Sequence, residues 1–353
     1  MEITVKTFTP VCIRSGETLS PLLDFVIEDD KVWFVDKAKL KDIFRDSEVM
    51  LRDFTQTTLR ESQNIRTFLR DYNIPLEAVT GFSVALCSLN LKDRSRQLYF
   101  PVVSSQGAYL PGSSLKGMIR SALLFAYLRE KGVAKLEEVF STGTEGRGRF
   151  QGAYTGENIF RNNRKDIFQD ALRFVRVSDS SFFPVERLKV YELKRVTKAN
   201  PIPALVLTIP AKAEFSFTLR IDSQFRRAVF PDFWKEFFQH GEQKILETIR
   251  DYSATVLEKE IEILKHLPNY GNLLQFYQKV RPKLRDRVFF RLGFGKTYFF
   301  NSVGYFLSRD QLQILFKGNR RVLLNDSFPS TRFVVGGEQE QIPLGWFVVT
   351  KPR

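Results

Sequence analysis

Apolar and polar positions along the chain switch between an alternating pattern and a three-to-four-residue pattern, and the switches mark out the elements. ITVKTFTPVCI at 3–13 alternates and is rich in Thr and Val, which predicts a first strand. FVIEDDKVWFVD at 25–36 predicts a hairpin turning at Glu28-Asp29-Asp30. Residues 37–72 change to a heavily charged helical pattern and read as a helical insertion. VTGFSVALCSL at 79–89 and the short stretch 97–103 return to strand. Ser113 or Ser114 then caps a helix to about Arg129, with Leu115, Ile119, Ala122, Leu123 and Ala126 on one face. ALRFVRVSDSSFF at 171–183 is predicted as a strand, and LKVYELKRVT at 188–197 and PALVLTIPAKAEFSFTLRID at 203–222 as longer ones.

The second half opens with helical spacing over 231–267, passes to shorter aromatic segments, and ends on PLGWFVV at 343–349, a predicted final strand. Strand, helix and strand thus recur on both sides of a break near Asp222. The expectation is an α+β protein, with antiparallel sheets and helices on one face, in two related domains at 1–221 and 222–353. A chain of 353 residues also exceeds what a single core usually supports. No tandem period of 20–50 residues is visible, which argues against a solenoid.

Composition adds a partner class to this picture. Hydrophobic residues at 43% and charged residues at 27% describe a globular chain with a sizeable core. Two cysteines rule out a disulfide framework or a Cys-rich zinc module and suit a reducing cytoplasm. Two histidines, His240 and His266, leave little for a metal site or a Ser-His-Asp triad. No signal peptide and no apolar run of about 18 residues is seen, so neither export nor a membrane is expected. The net charge of +14 points to a polyanion. That charge is concentrated. Residues 91–220 carry 22 basic and 12 acidic groups and residues 279–332 carry 12 and 3, whereas 1–90 and 232–278 are mildly acidic. Alternating blocks suggest a charged face.

The glycines fall in the same two basic blocks. In YLPGSSLKGMIRSAL, a Pro111-Gly112 turn leads directly into a helix whose first N–H groups point at any anion placed there. Ser113 and Ser114 add hydroxyl donors, Lys116 and Arg120 add charge, and Gly117 leaves the backbone open. STGTEGRGRFQGAYTG at 141–156 is a polar glycine loop carrying Arg147 and Arg149. GFGKT at 293–297 suggests a P-loop, but the required earlier glycine is Phe290, and the following TYFFNSVG looks strand-like where the motif needs a helix. Read as a glycine-rich turn, Arg291, Gly293, Gly295 and Lys296 suit a loop that tracks a nucleic-acid backbone. Just upstream, Arg281, Lys283, Arg285 and Arg287 would share one face of an extended chain. Tyr109, Phe150 and Tyr298 are candidates for base stacking.

For catalysis, His240 and His266 read as helix-surface residues, and Asp24, Asp29 and Asp30 as hairpin-turn residues with a weak alternative of Mg²⁺ binding. No catalytic residue, metal or other cofactor is expected.

The opening TFTPVCIRSGETLSPLLDFVIEDDKVWFVD resembles that of the fifth Csm subunit of type III-A CRISPR effector complexes. The resemblance continues through YLPGSSLKGMIRSAL, FVRVSDSSF, RLGFGKT and FPSTRFVV…PLGWFVV, in the expected order and over nearly the whole chain. PGSSLKG alone marks the wider RAMP superfamily; the flanking segments single out the subunit. The resemblance implies two ferredoxin-like, RRM-type domains with helical insertions and glycine-rich RNA-contacting loops. It implies a non-catalytic RNA-binding subunit that caps the complex at the 3′ side of the guide RNA (crRNA) and assists guide maturation. The implied partners are the guide RNA and the backbone and small helical subunits of the complex, with host nucleases as further docking partners. Carried over by position, Ser113, Ser114, Lys116 and Gly117 match the phosphate-contacting helix start, and Gly293, Gly295 and Lys296 the glycine-rich loop. Where that family often has His and Gly, this chain has Cys12 and Arg14, which removes a possible base and adds a cation. In the backbone subunit of these complexes a loop aspartate cuts target RNA; Asp24 is the nearest counterpart, and its hairpin context argues against the role. The competing readings are a metal-independent processing endoribonuclease of the same superfamily and a protein scaffold with incidental charge.

Overall fold

The computed structural model describes residues 1–45, 47–59, 65–87, 96–132, 157–161, 167–196, 204–315, 328–336 and 340–352. A five-stranded sheet has the order β13 (Phe289–Arg291), β16 (Trp346–Pro352), β1 (Glu2–Thr7), β12 (Glu214–Ile221), β9 (Val175–Val177). A larger sheet runs β2 (Arg14–Leu19), β6 (Leu98–Pro101), β11 (Ala204–Thr208), β10 (Lys189–Val196), β5 (Thr80–Leu86), β4 (Lys31–Val35), β3 (Phe25–Glu28). Beside the far end of β10 it adds β14 (Arg332–Val335) and then β15 (Ile342–Pro343). A small hairpin joins β7 (Val103–Ser104) to β8 (Gly107–Ala108).

The α+β expectation holds, with two departures from purely antiparallel sheets: β10 pairs β5, and β11 pairs β6, in parallel. The break expected near residue 222 falls between β12 and the helical layer. Strands from both sides of it nevertheless share both sheets: β16 lies between β13 and β1, and β14 pairs β10.

Local chemistry explains most elements. In β1, Ile3, Val5 and Thr7 are buried while the residues between them are not, the period-two signature of a strand over a core. At the β3–β4 turn, Asp29 and Asp30 take φ of 49° and 57°. Two successive left-handed residues match the twist of a tight hairpin. The insertion folds as α1 (Lys37–Arg45), α2 (Glu48–Leu59) and α3 (Ile65–Asp71), followed by the single turn α4 (Leu76–Val79). Leu40, Ile65, Phe68, Leu69 and Val79 close over Val26 as a separate small core.

The long helix α5 (Gly112–Lys131) buries Leu115, Ile119, Ala122, Leu123 and Ala126 as its spacing predicts, and ends at Gly132 with φ 73°. In the second half α6 (Asp232–Gln239) and α7 (Gly241–Leu264) replace the continuous helical segment expected over 231–267, and α8 (Gly271–Val280) adds a helix in place of the shorter aromatic segments expected there. Ile245, Ile249, Tyr252 and Val256 form the buried stripe of α7, against which Phe125 of α5 packs at 6.0 Å from the Tyr252 ring. Helices α5 to α8 and one face of each sheet enclose the main core.

Four local expectations are corrected. Residues 203–222 are two strands in different sheets, because the chain turns between Ile209 and Ala213 with Lys212 at φ 72°. Residues 171–183 hold only the three-residue β9 after a 3-10 turn, Ala171–Phe174. Ser178 and Ser181 then continue the edge of β12 through hydroxyls: Ser178 Oγ accepts from Thr218 N–H at 2.9 Å and Ser181 Oγ from Ser216 N–H at 3.0 Å. The basic stretch 281–287 is no strand. Pro282 starts a 3-10 turn, Arg281–Leu284, directly after α8, so the cations do not share a face: Arg281 pairs with Glu258 at 2.5 Å and Lys283 lies 5.3 Å from the Phe8 ring centroid. TYFFNSVG is also helical, with one turn at Tyr298–Asn301 and another at Gly304–Phe306.

Candidate nucleic-acid interface

The start of α5 is cradled by the segment after β9. A Cβ on Gly112 would stand 2.7 Å from Val177 O and 2.9 Å from Ser178 C, so only glycine fits. Its N–H donates to Asp179 Oδ1 at 2.6 Å. The N-cap residue is Pro111, with no side-chain cap. The expected serine cap is thereby corrected: Ser113 and Ser114 lie inside the first turn, and Ser114 N–H bonds back to Pro111 O at 2.9 Å. A carboxylate already serves the positive end of the helix. What remains for an outside anion is the rim. Ser113 and Gly117 are exposed, and Ser114, Lys116 and Arg120 are half-buried. Burial holds the Lys116 ammonium below its ordinary value; Arg176 adds to that shift and Asp170 opposes it. The Arg120 guanidinium lies 5.5 Å from the Phe160 ring centroid.

The glycine-rich loop is locked against the segment that follows β1. Phe294 N–H donates to Cys12 O at 2.7 Å, Leu292 N–H to Gly345 O at 2.8 Å, and Gly345 N–H to Pro10 O at 2.9 Å. Gly293 has φ 78°, and a Cβ there would run into Cys12 O. The Cys12 side chain is fully buried; burial pushes its thiol up to about 12, with Arg14 opposing. It is a packing residue.

Arg291 is removed from the set of contact residues, because it is 3% exposed. Its guanidinium donates to Leu344 O at 2.8 Å, Gly295 O at 2.9 Å and Tyr277 OH at 3.2 Å, so it braces the loop from within. A second brace lies alongside: Glu260 of α7 and Arg332 of β14, 0% and 2% exposed, pair at 2.8 Å. Thr297 Oγ1 donates to Glu260 at 2.5 Å, and Arg332 also donates to Thr331 O at 3.0 Å and to Pro329 O. The arginine of FPSTR therefore acts as an internal tie to the loop. Lys296, half-buried at the loop's edge, is pushed down to about 8 by burial, with Arg291 adding to the shift.

Beside the loop, Arg14 is exposed and its guanidinium carbon lies 4.1 Å from the Tyr99 ring centroid and 5.5 Å from that of Phe294. Five residues of β2 from Arg14 to Thr18 oppose the three from Pro101 to Tyr99, a bulge that carries Gly16 at φ 100°. The sequence thus brings Arg14 to the glycine-rich loop from nearly three hundred positions away.

The helix start and the loop are not neighbours. The helix start lies by Ser178 and Thr218, level with Glu2, while the loop lies by Trp346 and Phe8 at the other end of β1. That is on the order of 20 Å along the strand. Arg147, Arg149 and Phe150 lie outside the described residues. Tyr109 stands half-buried 5.7 Å from the exposed ring of Phe182, whereas Tyr298 packs against Gly304. His240 and His266 are exposed beside α6 and α7. Asp24 accepts from Ser20 N–H at 2.8 Å and pairs with Lys37 at 3.3 Å. Among the described residues no group of three or more His, Cys, Asp or Glu side chains is arranged to hold a metal ion, and no helix is long and apolar enough to cross a membrane.

Sequence reasoning missed Asp179, Tyr99 and the Glu260–Arg332 tie. Asp179 and Arg332 sit within quoted motifs, but only tertiary contacts reveal their partners; nothing in the sequence marks Tyr99.

Two sheets carrying ferredoxin-like domains, glycine-bearing turns and basic rims agree with the family match: the chain belongs to the RAMP superfamily, whose family model covers residues 4–300. The sequence is 24% identical over 395 aligned positions to the Csm5 protein of a CRISPR system in Methanocaldococcus jannaschii, covering 99% of this chain and 88% of that one. The fold is similar to a chain in the cryo-EM structure of a type III-A Csm–crRNA–target RNA ternary complex, with TM-score 0.74, 18% identity and coverage of 99% of this chain and 100% of that one. It is also similar to the crystal structure of T. onnurineus Csm5, with TM-score 0.67, 18% identity and coverage of 98% and 100%.

Proposed function

We propose that this chain is a non-catalytic RNA-binding subunit of a type III-A CRISPR surveillance complex. It caps the complex at the 3′ side of the guide RNA and assists guide maturation and assembly in antiviral defence. The observation that carries this reading is the braced glycine-rich loop, which sets Lys296 and Arg14 at the edge of one sheet face while the Phe294 N–H and the Gly295 carbonyl are bonded internally. The helix-start residues Ser113, Ser114, Lys116, Gly117 and Arg120 form a second contact point, and Arg147 and Arg149 a third. Backbone phosphates meet cations and hydroxyls at these points, leaving sequence readout to guide–target pairing. The similarity to Csm5 supports this assignment. The partners are the guide RNA, the backbone and small helical subunits and, for docking, host nucleases; the setting is cytoplasmic.

The test is a salt titration of binding to a single-stranded guide-like RNA, with aliquots run on a denaturing gel in Mg²⁺ or EDTA. Salt-sensitive binding with intact RNA is expected. Cut RNA would establish the endoribonuclease instead, and absence of binding would leave a protein-docking role.

A further inference from the structure

The larger sheet has two unlike faces. One packs Leu98, Leu205, Leu207, Val190 and Val334 into the main core. The other packs on the helical insertion at its β3–β4 end and, around β10, β11 and β14, covers among the described residues a small cluster, Cys12, Leu193, Ala204, Val206, Val335 and Leu344. Around that cluster stand half-buried aromatic rings. Tyr99 of β6 and Tyr191 of β10 flank Val206 of β11 in one register row. Phe294 of the glycine-rich loop lies 5.4 Å from the Tyr99 ring, and Phe333 of β14 lies 5.0 Å from Phe294. The run ends in a cation on both sides: Arg14 over Tyr99 at 4.1 Å, and exposed Arg195, the direct cross-strand partner of Phe333.

The geometry points to this second face as a base-stacking site: Tyr99, Phe294 and Phe333 receive nucleobases of the RNA, and Arg14 and Arg195 meet the flanking phosphates or stack on a base. This rests on the RNA-binding reading and deepens it by naming the chemical groups that the face takes. Water does not reward holding three rings half-exposed in a row, whereas every base has a π-face for them. A guanidinium plane seated on a ring also presents its outer side to a base. The acid nearest Arg195 in sequence, Glu192, lies on the opposite face of β10 and pairs with Arg96 at 2.5 Å, so it does not oppose a phosphate at Arg195. The loop glycines then acquire a second purpose: they fix Phe294 in the row.

The experiment compares binding of the purified chain to a single-stranded RNA and to an abasic strand of equal length. The variants are Tyr99→Leu, Tyr99→Phe and Arg14→Ala, and a 2-aminopurine label in the RNA reports stacking. The wild type should prefer the RNA with bases and quench the label. Tyr99→Leu should weaken RNA binding about five- to thirty-fold with the abasic affinity and salt slope unchanged. Tyr99→Phe should retain the preference. Arg14→Ala, at an exposed position, should reduce quenching in a chain of unaltered stability. Equal binding of the two strands by the wild type, or a preference that survives Tyr99→Leu, would overturn the stacking site while leaving phosphate binding standing. No binding of either strand would overturn the RNA-binding reading itself.

Discussion

The start of α5 and the glycine-rich loop carry similar letters, glycine with hydroxyls and one lysine, yet they are built differently. At the helix start the first N–H is spent on Asp179, and the second glycine, Gly117, faces open space. At the loop, Gly293 and the neighbouring Gly345 that precedes β16 bring backbone against backbone, and Arg291 with the Glu260–Arg332–Thr297 tie holds them from inside. Glycine in the loop therefore serves internal close packing, whereas Gly117 serves no internal contact. In both places side chains on the rim remain for a polyanion.

The largest expected effect is on the tie. Arg332→Ala leaves Glu260 charged and unpaired in the interior, which should cost about 3–5 kcal/mol in urea unfolding. A loss below about 1 kcal/mol would show that the loop is held by other contacts. Gly293→Ala, which meets Cys12 O at a left-handed φ, should cost about 1–3 kcal/mol. Gly117→Ala should do the reverse and raise stability by about 0.5–1 kcal/mol, since it removes a glycine from a helix interior without a clash. If Gly117→Ala also weakens RNA binding while the melting temperature rises, close approach of a ligand to the backbone explains that glycine.

Next comes the charge. Lys116→Ala combined with Lys296→Ala should lower the salt slope of single-strand binding by about 1.4, at about 0.7 per phosphate contact. An unchanged slope would remove both lysines from the interface. The smallest effect is pH-dependent. Lys296 is held at about 8, so it loses its charge above that value, and RNA affinity should decline between about pH 7 and 9. Lys296→Arg should flatten that decline, because arginine stays protonated. For folding the sign is opposite. The depressed lysine penalises the folded state most below about pH 8, and the penalty fades as pH climbs towards the ordinary lysine value of about 10.4.

What could be read from sequence followed local rules. The α5 face, the Asp29-Asp30 turn and the helical insertion are set by periodicity and by residues that tolerate left-handed backbone. The expectations that failed concern groups whose partners are remote. Arg281 to Arg287 alternate as a strand would, yet Pro282 and the end of α8 put them on a helical turn, where Glu258 and Phe8 claim two of them. Ser113 looks like a cap until Asp179, more than sixty positions away, takes the N–H. Arg291 looks like a loop cation, but Leu344 and Tyr277 enclose it. Arg14 and Phe294 could not be paired by any short-range pattern.

The pairing of β16 with β1 has a consequence for biosynthesis. Ile3 and Val5 leave the ribosome more than three hundred residues before β16, one of their two neighbouring strands. Until then one edge of β1 is unpaired and β13 lacks its neighbour β16 in the sheet. Contacts spanning almost the whole chain are slow to form, and an open strand edge invites wrong pairings. The anchor of the glycine-rich loop, through Gly345 and Leu344, is completed in the same late step. A chain that lacks β16 therefore cannot present its braced loop, and assembly is deferred until that strand has been made.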